Sequence, residues 1–66
     1  MKPVKLKPEI VAILEKRLND EYYAHYFYRA ASDYCANVGY VGGAKYFANE
    51  AEDELQHAKG IEKYLS

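Results

Sequence analysis

The sequence predicts an all-α fold, a long antiparallel αα-hairpin, from three observations. Proline occurs only at positions 3 and 8, and three of the four glycines lie together at 39, 42 and 43. On both sides of this glycine cluster, small and apolar side chains recur every three to four residues, which is typical of helices. A connection as short as this cluster places the second helix antiparallel beside the first.

Local signals place the helix ends. Pro8 suits a first helical position, where its missing N–H has no partner to lose, and Glu9 follows where the helix dipole favours an acid. Asn37-Val38-Gly39 is a stop signal, with glycine in the left-handed position. We expect a lead-in and then a hairpin: residues 1–7 extended, and residues 8–66 a helical hairpin with helices at about 8–37 and 42–64.

Composition excludes several classes of partner. Nine Lys plus Arg against ten Asp plus Glu leave a net charge of −1, so neither nucleic acid nor an anionic membrane is expected. No stretch approaches the roughly 20 apolar residues of a membrane span, and no signal peptide follows the basic start. The single cysteine, Cys35, rules out an intrachain disulfide and fits the reducing cytosol, which predicts a cytoplasmic protein.

The aromatic residues indicate that the hairpin does not fold alone. The chain has eight Tyr and no Trp, and two helices cannot bury apolar surface on several sides. The rings expected on faces outside the hairpin contact are Tyr22, Tyr23, Tyr26, Phe27, Tyr46 and Tyr64. We therefore expect further helices, from another copy of the chain or from a missing partner segment.

The run Glu54-Leu55-Gln56-His57 is the first candidate metal motif. A Glu and a His three residues apart share one helix face. Glu54 interrupts an otherwise apolar stripe: Ala44, Phe47, Ala51, Ala58, Ile61 and Leu65. A carboxylate removed from water costs several kcal/mol unless it is compensated. Carboxylate oxygen with imidazole nitrogen suits iron, manganese or zinc.

Glu21 strengthens the metal interpretation. It lies in a comparable stripe of the first helix, and an antiparallel hairpin brings it within about one helical turn of Glu54 in height. Two inward carboxylates at one level repel each other unless a proton or a cation lies between them. The candidate ligands are thus Glu21, Glu54 and His57; in the structural alternative, each Glu merely points out to solvent.

Other residues are weaker candidates. Tyr28 lies two turns beyond Glu21 and is placed to hydrogen-bond a ligand carboxylate. The same spacing is explained nearly as well if Tyr28 is a core residue with its hydroxyl at the rim. His25 fits an interface histidine better than an extra ligand or proton carrier. Glu50 and Asp53 flank the motif, where either can bind an entering metal ion, but a solvated face fits Glu52, Asp53 and Glu62 better. Cys35 fits a small core residue.

Together these residues carry a resemblance. Glu21, Tyr28, Gly39 and Gly43 around the turn, Phe47, and the run from Glu54 to Ala58 resemble the first half of a ferritin-like di-iron bundle, as in ferritins, bacterioferritins and rubrerythrins. The likeness covers about residues 10–65 and implies that the hairpin forms half of a ferritin-like four-helix bundle. It also implies a role for each residue: Glu21 as terminal iron ligand, Glu54 as bridging ligand, His57 as histidine ligand, and Tyr28 as the tyrosine beside the centre.

The resemblance is partial. Such a bundle takes a Glu from each of two helices and Glu-x-x-His from each of two others, so half of the ligands are absent here. Two identical hairpins related by a two-fold axis supply the full set, and encapsulated ferritins resemble this arrangement. The alternative is that the chain is the N-terminal half of a longer subunit. Bacterioferritins carry a haem-ligating Met where Leu55 stands, so no haem is expected, and the cysteine pairs of a rubredoxin domain are missing.

The function that the resemblance implies is ferroxidase activity for iron storage or detoxification. Two Fe(II) ions per complete site are oxidised by O₂ or peroxide, Zn or Mn are possible substitutes, and Tyr28 either supplies an electron or holds a carboxylate. Two alternatives stay open. One is a rubrerythrin-like di-iron oxidase or peroxidase that stores no iron, and the other is a metal-free helical oligomerisation module.

Overall fold

The computed structural model describes residues 5–66, which form an all-α hairpin from Pro8 onwards. Helix α1 spans Pro8–Asn37 and helix α2 spans Val41–Leu65, and these are the elements of the described part of the chain. The predicted fold class, an antiparallel αα-hairpin, is confirmed. Of the predicted lead-in, residues 1–4 lie outside the described residues, and Lys7 has an extended backbone directly before α1.

Proline and glycine set the ends of α1. Pro8 begins the helix and Glu9 lies in its first turn. At the other end Gly39 has φ +81°, and the amide of Tyr40 donates to the carbonyl of Cys35 at 2.7 Å. The Gly39 amide bonds the Ala36 carbonyl at 3.1 Å, which completes the Schellman pattern of a helix C-terminus. The chain therefore reverses within residues 38–40.

Contacts between α1 and α2 define an antiparallel register. The pairs in contact step up one helix and down the other: Ser32 with Ala44, Tyr28 with Phe47, His25 with Ala51, and Glu21 with Glu54. Near the turn the helices come close, because a Cβ on Gly43 would lie 3.0 Å from the Cys35 sulfur. This register places Glu21 and Glu54 at the same height.

The hairpin is a single layer with a small core. It measures 49 × 19 × 11 Å, so it is about one helix diameter thick. Among the described residues, the buried apolar side chains are Cys35, Ala51 and Ala58. The predicted uncovered rings are exposed, and they include Tyr23, Tyr26, Phe27, Tyr46 and Tyr64. Tyr22 is the exception, because it is half-buried and its hydroxyl donates to Glu62 at 2.9 Å.

Neither helix in the described part of the chain is long and apolar enough to cross a membrane.

Candidate metal centre

The hairpin brings the three predicted ligands together. Glu21 comes from the middle of α1, and Glu54 and His57 come from successive turns of α2. One potential ligand atom from each of them lies within 4.8 Å of the others. The contact exists because Glu54 and His57 share a helix face and because the register places that face against Glu21.

The imidazole of His57 lies close to both carboxylates. Its Nδ1 lies 3.4 Å from Oε2 of Glu21 and 3.9 Å from Oε1 of Glu54. The Glu21 side chain is only 10% exposed, whereas that of His57 is 58% exposed. The site is therefore closed on the hairpin side and open on the side from which His57 projects.

The two carboxyl groups interact directly, and each shifts the pKa of the other. The hydrogen bond between Glu21 and Glu54 holds the pKa of Glu21 below its ordinary value, and the charges of Arg17 and His57 lower it further against the effect of burial. The same hydrogen bond raises the pKa of Glu54, assisted by burial and by the charges of Glu21 and Glu50. Of the two carboxyl groups, Glu54 therefore keeps its proton to a higher pH, and Glu21 ionises more readily.

Arg17 is a fourth member of the site. Its Nε lies 3.5 Å from Oε2 of Glu21, the same oxygen that faces His57. Arg17 was not among the residues predicted from the sequence, although the i,i+4 spacing to Glu21 is a readable signal for an ion pair. A permanent cation therefore lies against the most buried ligand.

Tyr28 lies at the contact between the two helices, but its ring packs against other aromatic rings and, among the described residues, does not hydrogen-bond a ligand carboxylate. Its ring is stacked on Phe47, with centroids 6.0 Å apart, and Phe27 meets it edge-on at 5.9 Å. Within residues 5–66, Tyr28 makes no hydrogen bond to Glu21 or Glu54. Its predicted bond to a ligand carboxylate stays a prediction.

His25 forms a hydrogen bond between the two helices and is not a member of the metal group. Its Nδ1 lies 2.7 Å from the carbonyl oxygen of Ala51. A carbonyl only accepts hydrogen bonds, so this nitrogen carries the proton. The Tyr26 ring meets the imidazole edge-on at 5.1 Å. This geometry agrees with the interface histidine that the sequence favoured.

The donor set fits a transition metal. Two carboxylates and one imidazole match the oxygen and nitrogen ligands that iron, manganese and zinc accept. A divalent ion also replaces the proton that the carboxylate pair otherwise requires. Glu21, Glu54 and His57 amount to half of the four-Glu, two-His set of a di-iron bundle.

Comparison with known proteins assigns the chain to a family. The family model described as a ferritin-like domain matches residues 11–66. This match covers all of α2, α1 from Val11 onwards and all three candidate ligands. The chain therefore belongs to the ferritin-like domain family.

The chain is also similar to individual curated proteins. The chain is 34% identical over 61 residues to the bacterial non-heme ferritin of Staphylococcus epidermidis. It is 31% identical over the same length to the bacterial non-heme ferritins of Staphylococcus haemolyticus and Staphylococcus aureus. These alignments cover 92% of this chain but 37% of each relative, so the chain spans little more than a third of their length. No solved structure matches it significantly.

Proposed function

We propose that this chain supplies half of a di-iron centre at which Fe(II) is oxidised for iron storage or detoxification. The observation that supports it most strongly is the approach of Glu21, Glu54 and His57 to within 4.8 Å at the contact between the helices. Membership of the ferritin-like family supports iron as the metal. Zinc or manganese suits the same donor atoms.

Each ligand has a distinct part in this chemistry. Glu21 and Glu54 would both hold the metal as carboxylates, and Glu21 is the one that ionises more readily. His57 contributes a neutral nitrogen lone pair. Carboxylate charge favours Fe(III) over Fe(II). The oxidation balances when two Fe(II) ions give two electrons to one O₂, which leaves with two protons as hydrogen peroxide.

Further helices complete the proposed centre. The hairpin is one layer, 11 Å thick, and the open side of the site carries the exposed His57. A second copy of the chain in a homo-oligomer would bring the centre to four carboxylates and two imidazoles. The C-terminal remainder of a longer subunit would do the same, and the relatives' greater length supports that source.

Three further assignments belong to the proposal. Tyr28 lies beside the completed centre, where it supplies an electron or holds a carboxylate. No haem is proposed, because Leu55 follows Glu54 where a haem-ligating methionine stands in bacterioferritins. The protein is proposed to work in the cytoplasm, which suits its unpaired Cys35.

The test is anaerobic loading of the full chain with Fe(II), followed by exposure to O₂. We expect Fe(II) oxidation faster than in buffer alone, close to the buffer rate in His57→Ala, and unchanged in Glu52→Gln, whose side chain bonds Gln56 outside the site. Excess Fe(II) then separates storage from an oxidase or peroxidase, because a storage protein keeps the oxidised iron in solution. Equal rates in the wild type and His57→Ala would contradict the proposal.

A metal-free oligomerisation module is the second candidate. One observation favours it: within the described chain Glu21 already has Arg17, His57 and a hydrogen bond with Glu54 as partners, without a metal ion. It predicts that Glu54→Ala leaves stability and assembly unchanged or improved, and that no divalent ion changes the melting temperature.

A further inference from the structure

We propose that Arg17 is a positioning residue, a built-in counter-cation that a metal ion must displace from Glu21. This inference rests on the proposed function, because it concerns how the same site is filled. It assigns to Arg17 control over metal affinity rather than a place among the metal ligands.

The contact differs from an ordinary surface ion pair. Arg17 Nε reaches Glu21 Oε2 at 3.5 Å, and the Arg17 side chain is 65% exposed while that of Glu21 is 10% exposed. The neighbouring i,i+4 pair, Lys16 with Asp20, has both partners exposed, at 81% and 62%. Water competes freely for Asp20 but has little access to Glu21. The Arg17 contact is therefore worth more than a surface pair.

The same oxygen faces the metal site. Glu21 Oε2 lies 3.4 Å from Nδ1 of His57, so it points at the second candidate ligand as well as at Arg17. A metal ion between Glu21, Glu54 and His57 and the guanidinium of Arg17 thus compete for one carboxylate. A guanidinium does not lose its proton in proteins, so Arg17 cannot give up its charge when a metal ion enters. Arg17 must move instead.

A groove beside the site gives Arg17 room to move. Its volume is about 470 Å³, and it is lined by Glu21 and His57 of the site itself together with Leu14, Arg17, Gly60, Ile61 and Tyr64. A Cβ on Gly60 would meet no atom within 4 Å in the described chain, so this wall of the groove is open. Because the Arg17 side chain is itself 65% exposed, its guanidinium can leave Glu21 towards the open part of the groove or towards solvent.

Coulomb's law sets the size of the effect. A divalent ion about 5 Å from a guanidinium is repelled, even at the dielectric constant of water, by enough to lower its affinity on the order of tenfold. Salt screens this repulsion, since the Debye length falls from about 10 Å at 0.1 M to about 3 Å at 1 M.

The experiment is a Co(II) titration of the full chain, followed by the visible absorption of bound Co(II). We expect Arg17→Gln to bind Co(II) about tenfold more tightly than the wild type at low salt, with the gain shrinking in about 1 M salt. Arg17→Lys, which keeps the charge, should stay near the wild type. Lys16→Gln is the matched control, because it removes a neighbouring charge that pairs with Asp20, and it should change little.

Two results overturn different claims. Co(II) binding to the wild type with equal or weaker affinity in Arg17→Gln would overturn the role of Arg17 and leave the metal site intact. No Co(II) binding to the wild type or any variant would overturn the proposed function itself. Arg17→Met is a second neutral replacement, and circular dichroism of each variant shows that its helices are intact.

Discussion

Replacing Glu54 with glutamine separates the two ways of compensating the carboxylate pair, by a proton or by a metal ion. In the metal-free chain a hydrogen bond with Glu21 raises the pKa of Glu54 and so favours its protonated form. A glutamine amide has almost the same shape as a protonated carboxyl group and donates a hydrogen bond to Glu21 in its place. We expect the free energy of unfolding without metal to change by less than about 1 kcal/mol.

The metal-bound state responds differently. Zinc at a free concentration about 100 times its dissociation constant adds about 2.7 kcal/mol to the folded state of the wild type. In a chain of 66 residues this raises the melting temperature by about 10–20 °C. The neutral amide of the variant offers zinc no negative charge, so Glu54→Gln should lose most of this increase.

The assay is thermal unfolding followed by circular dichroism, with and without zinc. Glu52→Gln is the control, because it makes the same chemical change on the same helix at an exposed side chain bonded to Gln56. It should keep the full zinc response. A Glu54→Gln variant that gains as much from zinc as the wild type would refute the assignment of Glu54 as a ligand.

Three further predictions concern the hairpin itself. The pKa of Glu54 is raised above its ordinary value of 4.5. Its contribution to metal-free stability is therefore complete below pH 4.5 and is lost as the pH rises through the pKa of the folded state. Urea unfolding measured at a series of pH values should show this loss in the wild type but not in Glu54→Gln. Ser32→Ala removes the 2.7 Å bond to the Ala44 carbonyl and should cost about 1 kcal/mol in urea unfolding. Gly43→Ala places a Cβ 3.0 Å from the Cys35 sulfur and should lower the melting temperature, less so combined with Cys35→Ala; an equal drop in both backgrounds would contradict the steric explanation.

The helix ends, and the position of Glu21 opposite Glu54 along the hairpin, follow from local sequence rules. Pro8 and Gly39 act through their own backbones, so their effects need no knowledge of the rest of the fold. The short connection then fixes an antiparallel register, and the register brings Glu21 to Glu54. These parts of the site are encoded in spacing along the chain.

The remaining contacts depend on side-chain conformations that spacing does not determine. Tyr28 stacks on Phe47 instead of bonding a carboxylate, and both arrangements fit the same helical position. Arg17 and Lys16 each have an acid four residues on, but only Arg17 meets a buried one. That difference arises from the packing of α2 against α1. The other half of the proposed centre lies on helices outside this hairpin.

The most direct test of the metal centre is native mass spectrometry of the full chain after anaerobic addition of Fe(II), with Glu54→Gln as the comparison. The account predicts iron-bound wild-type chain and iron-free variant. Two irons for each pair of chains in an even-numbered assembly would identify a second copy as the partner, whereas iron on single chains would show that the three ligands of one hairpin suffice for binding. A wild type that stays free of iron in every species would contradict the assignment of Glu21, Glu54 and His57 as an iron site.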